Sequence, residues 1–118
     1  MSGLEFYSMV KAGKTDAPCS GNIRDTVSAV KIAAALSLSE KRSFSSVEIA
    51  RILDVTGAAV NKYLHKRYSA KTARMVAYII SKSLEVAVVQ KAASGANKDA
   101  VLLEIERVAL DRNLLEIS

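Results

Sequence analysis

Asn61, Lys62 and His65 lie within five positions of one another, preceded by Thr56, Gly57 and Ala58 and followed by Lys66 and Arg67. The Asn61 amide offers a donor beside an acceptor, the pairing that matches an adenine edge, while Lys62 and His65 can reach a guanine edge or a phosphate. Gly57 and Ala58 cannot hydrogen-bond through their side chains. They allow a close backbone approach, and the Ala58 methyl can touch a thymine methyl. Lys66, Arg67, Lys71 and Arg74 downstream, with Lys41 and Arg42 upstream, are suited to holding phosphates. The chemistry on offer is recognition of a polyanion that carries hydrogen-bonding edges.

Bond-making chemistry finds no such support. Cys19 is the only cysteine, so no internal disulfide or multi-cysteine metal site can form. It sits in the turn-rich stretch from Asp16 to Asn22 and reads as an inert thiol. His65 is the only histidine, and alone it builds neither a zinc site nor a catalytic dyad. No glycine-rich phosphate loop occurs, and Glu104 and Glu106 flank Ile105, so on a helix they project in different directions. Phe6, Tyr7, Phe44 and the later tyrosines form no repeating platform for single-stranded bases. No enzyme, cofactor or metal is expected.

The elements needed to position the polar cluster can be read locally. Ser45 followed by Glu48 is a capping box and predicts a helix start. Ile49, Ala50 and Leu53 then share a face, with Ala50 small where a second helix must come close. Asp54 can take the left-handed conformation that ends a helix, and Val55 is the expected buried residue of the turn. Thr56 can cap a second helix whose inward positions are Val60 and Tyr63 or Leu64. Thr56, Gly57, Ala58, Asn61, Lys62 and His65 are left facing outward. Two short helices crossing at a tight turn form a helix-turn-helix, whose outward residues would meet the major groove.

At these residues the chain resembles the lambda-repressor-like helix-turn-helix group of phage repressors, Cro-type regulators and Lac-type headpieces. Ile49, Ala50, Leu53, Val55, Val60 and Tyr63 match the group's apolar and small positions, although Asp54 stands where a turn glycine is usual. Leu64 to Ile80, with Ser69, Thr72, Arg74, Val76 and Ile79, is similar to the segment leading into the next helix of a Lac-type headpiece. The resemblance spans residues 45–80 and implies a DNA-binding regulator.

Charge falls in the same place. Residues 41–74 hold eight cations, Lys41, Arg42, Arg51, Lys62, Lys66, Arg67, Lys71 and Arg74, against Glu48 and Asp54, a net +6 in a chain whose total is +5. Residues 1–40 balance at zero and residues 75–118 carry −1. A charge excess confined to the polar cluster is an electrostatic footprint for nucleic acid.

Length and composition set the frame. A chain of 118 residues, half of them hydrophobic and with one proline, is one ordinary domain and predicts an all-α fold. Its apolar runs, such as Ile32 to Leu36 and Val86 to Val89, are too short to cross a bilayer, and Met1 to Gly13 lacks the apolar core of a secretory signal. No membrane partner and a cytoplasmic location are expected. Residues 1–22 read as a flexible arm, in which Lys11 and Lys14 either reach a minor groove or belong to a disordered tail. Residues 23–80 read as the helix-turn-helix DNA-binding core. It opens with a support helix from Ile23 to about Leu38, capped by Asn22, and a polar connection from Ser37 to Ser46. A helix from Ser69 or Thr72 can run unbroken to about Ala93, or break near Ser81 to Ser83. A last one is predicted from Lys98 to Asn113, capped by Asn97. Residues 81–118 read as a C-terminal helical dimerisation region, because the stripe from Met75 to Ile117 exceeds what a small three-helix core covers; the alternative is that these helices complete the core of their own chain.

The expected function is a sequence-specific transcriptional regulator that binds double-stranded DNA as a homodimer; the sequence identifies no effector. Two alternatives stay open: a helical protein-interaction module, and a DNA-binding accessory in replication or partition or an antitoxin.

Overall fold

Asn22 opens the part of the chain described by a computed structural model, residues 22–118. The expected arm lies outside the described residues apart from Asn22, as do Lys11, Lys14 and Cys19. The Asn22 side chain accepts the backbone N–H groups of Arg24 and Asp25 at 3.0 and 3.4 Å, starting helix α1 (Ile23–Arg42). Instead of giving way to a polar connection at Ser37, α1 continues for another full turn, because Leu38 is fully buried and pins that turn to the core. Lys41 and Arg42 then sit at its C-terminus, where cations complement the helix dipole. The connection shrinks to Ser43–Ser45.

Six further helices follow: α2 (Ser46–Leu53), α3 (Gly57–Leu64), α4 (Ala70–Ser81), α5 (Val86–Ala93), α6 (Lys98–Ala109) and α7 (Arg112–Ile117). All regular structure among the described residues is helical. Every one of the six packs against α1. The reason lies in α1 itself: Ala29, Val30, Leu38 and all five residues from Ile32 to Leu36 are buried. Five consecutive buried positions span more than a full turn, so this helix is apolar all round and has to be covered on every side. The sequence cast α1 as a support behind two other helices; it is instead the axis of the fold. Its alanines let the surrounding helices approach closely.

The C-terminal segments supply the remaining cover. Val88, Val89 and Ala92 of α5, Val101, Ile105, Val108 and Ala109 of α6, and Leu114 of α7 are all buried. The apolar surface that suggested a partner is thus largely used within the chain. The long helix anticipated from Ser69 to Ala93 is divided where a break was the other option. Ser83 adopts φ 57°, and the Ser83 and Leu84 N–H groups donate to Ile80 and Ile79 carbonyls at 3.1 and 2.9 Å, closing α4. Glu85 follows, 3 % exposed, with its Oε1 lacking a hydrogen-bond partner among the described residues. The helix expected to reach Asn113 ends at Ala109. There Asp111 caps α7 by accepting the Leu114 N–H at 3.0 Å, and it also accepts the Tyr78 hydroxyl at 3.1 Å. The Asn22 N–H donates to Ser118 Oγ at 2.8 Å and joins the two ends of the described chain. No helix of the described residues is long and apolar enough to cross a membrane.

Overpacking the axis should therefore be felt throughout the molecule. Ala34→Leu is expected to lower stability by about 1–3 kcal/mol, since added methylenes in a dense core force side chains off their rotamers. Denaturant unfolding followed by circular dichroism measures it; an unchanged midpoint would mean that α1 has slack on that side.

Candidate nucleic-acid interface

The interface is assembled from α2, α3 and the turn between them, and its local geometry follows from capping. Ser45 Oγ accepts the Glu48 N–H at 3.2 Å while Glu48 Oε1 accepts the Ser45 N–H at 2.9 Å, the reciprocal capping box that starts α2. The Ser45 N–H, then the Ser45 hydroxyl and the Arg51 charge, hold the Glu48 carboxyl below its ordinary value. A carboxyl lowered in the folded state contributes stability above its unfolded value and loses it as pH falls, so this helix start weakens in acid. Asp54 takes φ 59° at the end of α2, and the Val55 N–H donates to the Ala50 carbonyl at 3.0 Å. Asp54 does this without being glycine, and its carboxylate also meets Lys98 Nζ at 3.3 Å, tying the turn to α6.

Thr56 then caps α3, its Oγ1 accepting the Ala59 N–H at 3.0 Å. That leaves the Gly57 and Ala58 N–H groups for an external acceptor. Val60 is fully buried, and Tyr63 and Leu64 are both half-buried, so the inward face uses both members of that pair. Burial raises the Tyr63 hydroxyl above the ordinary tyrosine value. Val55, expected to be buried, is only half-buried and lies at the edge of a groove. The helix ends with Lys66 at φ 57°. The Lys66 N–H donates to the Tyr63 carbonyl at 3.1 Å and the Arg67 N–H to the Lys62 carbonyl at 2.9 Å. This paired cap turns the chain sharply and sets Lys66 and Arg67 just beyond the end of α3.

Thr56, Gly57, Ala58, Asn61, Lys62, His65, Lys66 and Arg67 are all exposed along α3 and its exit. His65 Nδ1 lies 2.8 Å from the Asn61 carbonyl oxygen. A carbonyl only accepts, so a hydrogen bond here requires the proton on Nδ1. With Nδ1 so engaged, a neutral His65 can offer Nε2 only as an acceptor, whereas the guanine or phosphate contact expected from sequence needs a donor there. No carboxylate occurs between Asp54 and Glu85, so α3 and α4 carry only cations of their own, with Asp54 at the turn and Asp25 beside Lys71 as the nearby acids.

The other expected contacts are divided by the fold. Arg74 is exposed on α4, which Ser69 caps by accepting the Thr72 N–H at 3.1 Å. Lys71 is paired: its Nζ meets Asp25 Oδ2 at 2.9 Å with its side chain still 43 % exposed, joining the first turn of α4 to the first turn of α1. Lys41 and Arg42 are exposed but lie at the opposite end of α1, roughly 24 Å along the axis from Asp25 at 1.5 Å per residue. That length sets them apart from the Lys71–Asp25 pair. In the other direction the fold brings Arg24 and Lys31 of α1 beside Val55 and Tyr63, an approach between distant segments that no local pattern reveals.

Compared with known proteins, the chain matches no family model, no curated protein and no solved structure.

Gly57 separates the needs of the fold from those of a ligand. A Cβ added there would meet nothing within 4 Å, so the fold itself does not require glycine. Gly57→Ala is expected to raise stability by about 0.5–1 kcal/mol through helix propensity, measured by thermal or denaturant unfolding. A loss of stability would show that the residue serves packing rather than the exposed face.

Proposed function

We propose that this protein is a sequence-specific regulator of transcription that binds double-stranded DNA as a homodimer, with α2 and α3 as a helix-turn-helix of the lambda-repressor-like kind. The observation that carries the reading is the exposed face of α3: a short helix capped at both ends, anchored by Val60 and Tyr63, with Asn61 and Lys62 turned outward in a stretch free of Asp and Glu. In this reading α3 enters the major groove. Asn61 pairs with an adenine edge, and Lys62 and His65 contact neighbouring bases or phosphates. Ala58 touches a thymine methyl, while the free N–H groups of Gly57 and Ala58 meet a phosphate. Lys66, Arg67 and Arg74 hold the backbone. Lys71 contributes mainly by fixing α4 to α1 through Asp25, and Lys41 and Arg42 contact only DNA that extends past the other end of α1. Operator occupancy by a two-fold pair, with half-sites about 34 Å apart, then controls access of polymerase. The reading requires no catalytic group or cofactor.

Duplex titrations over a range of salt concentrations test it. With four or five phosphates neutralised per copy, the logarithm of affinity should fall with the logarithm of salt at a slope of about −4 per copy. On a selected site Asn61→Ala should cost about 1–3 kcal/mol and relax one base position, whereas Arg67→Ala should weaken matched and scrambled duplexes alike. Lys71→Ala should change DNA affinity less than Arg67→Ala does. A chain that binds no duplex at low salt refutes the proposal.

A further inference from the structure

Ile23, Leu103 and Leu110 are large hydrophobic residues left 45 %, 67 % and 63 % exposed. Leu103 and Leu110 are seven residues apart on α6 and its cap, with Glu106 between them, so all three occupy one helical face. Leu110 and Glu106 also line a groove of about 580 Å³ whose other wall is Ile23, Arg24, Val27 and Lys31 of α1 and whose end is Val55 and Tyr63. The exposed leucines thus adjoin the groove in one strip of apolar and charged residues, from α6 across the start of α1 to Val55 and Tyr63. Its charges are divided by wall: Arg24 and Lys31 stand on the α1 side, Glu106 on the α6 side. Among the described residues neither Arg24 nor Glu106 takes part in an ion pair.

We infer that this strip is the contact surface for a second copy of the same chain. In a two-fold interface each residue meets, on the other copy, the residue that its own counterpart meets in return, so the surface must complement itself. A strip with cations on one wall and a carboxylate on the other does so. Rotation places Arg24 and Lys31 of one copy against Glu106 of the other twice, while Leu103, Leu110 and Ile23 close the apolar centre. The mixed sign disfavours nucleic acid on this side, since Glu106 would face phosphates. The inference rests on the dimer in the function proposed above and adds its location. It also couples assembly to recognition, because Val55 and Tyr63 belong to the turn and to α3: a second copy seated on the groove buttresses α3 from behind.

Analytical ultracentrifugation of the full chain from low to high micromolar concentration, with and without a selected duplex, tests this surface. The wild type should dimerise, and Leu103→Lys and Leu110→Lys should each weaken the dimer by at least about tenfold with unchanged circular dichroism. Arg24→Glu and Glu106→Arg should each weaken it, and the two together should restore it, which a merely structural effect of either change would not do. Both leucine variants should keep salt-sensitive binding to nonspecific duplex, since the outward face of α3 is untouched. A wild-type chain that stays monomeric overturns the inference, whether the strip is then covered by residues 1–21 or by another protein. So does a dimer indifferent to the leucine substitutions, or a double charge reversal that fails to restore association. A chain that dimerises through this strip but binds no duplex leaves the inference standing and removes the DNA reading instead.

Discussion

All-round burial of α1 is the constraint to which the other six helices respond. A helix with Ile32 to Leu36 buried in succession has no face to give to solvent, so its partners have to arrive from every direction. A pair of short helices cannot do that alone. The C-terminal helices are recruited for the same purpose, and Ala29, Ala33, Ala34 and Ala35 keep the axis thin enough for all of them to fit. Polar bonds then fix the helices around the axis: Lys71 to Asp25, Tyr78 to Asp111 and the Asn22 N–H to Ser118.

The same packing fixes α3. An eight-residue helix such as α3 is too short to be stable by itself in water, and its exposed face contributes nothing to holding it in place. Its position comes from Val60, Tyr63 and Leu64 packing inward, and from caps at Thr56 and Lys66 that fix where it begins and ends. The outward side chains are thereby free to vary while the scaffold stays constant. In the proposed function that division separates base reading at Asn61 from anchoring at Lys66 and Arg67.

Helix starts were legible because they are local. Ser45 with Glu48, Thr56, Ser69, Asn97 and Asn22 all cap the helices that their positions suggested. Helix ends were harder, for a physical reason. Ser43, Lys66 and Ser83 adopt left-handed conformations without being glycine, which tertiary packing can impose but residue type does not announce. Asp54 was the exception, since a short polar side chain tolerates that region. The length of α1 was underestimated because Ser37, Ser39 and Glu40 look like a loop, and only the burial of Leu38 shows why the helix continues. The same oversight made the C-terminal stripe look surplus: the need of α1 for cover on all sides lies in the packing, not in the periodicity of any one segment. Of the candidate residues, the exposure of those on α3 and its exit was readable from spacing, whereas the pairing of Lys71 with Asp25 and the separation of Lys41 and Arg42 from that pair depend on which helix ends the fold brings together.

Native-state hydrogen exchange tests most directly the claim that α1 is the axis on which everything else is mounted. The backbone amides from Val30 to Leu38 should be the slowest in the molecule, exchanging only through global unfolding with a free energy equal to that from denaturant. Amides in the buried turns of α4 and α6 should approach the same limit. The contradicting result would be a C-terminal unit from α5 to α7 that opens as a block while α1 to α4 stay protected, because α1 would then be stable without the cover that the fold assigns to it.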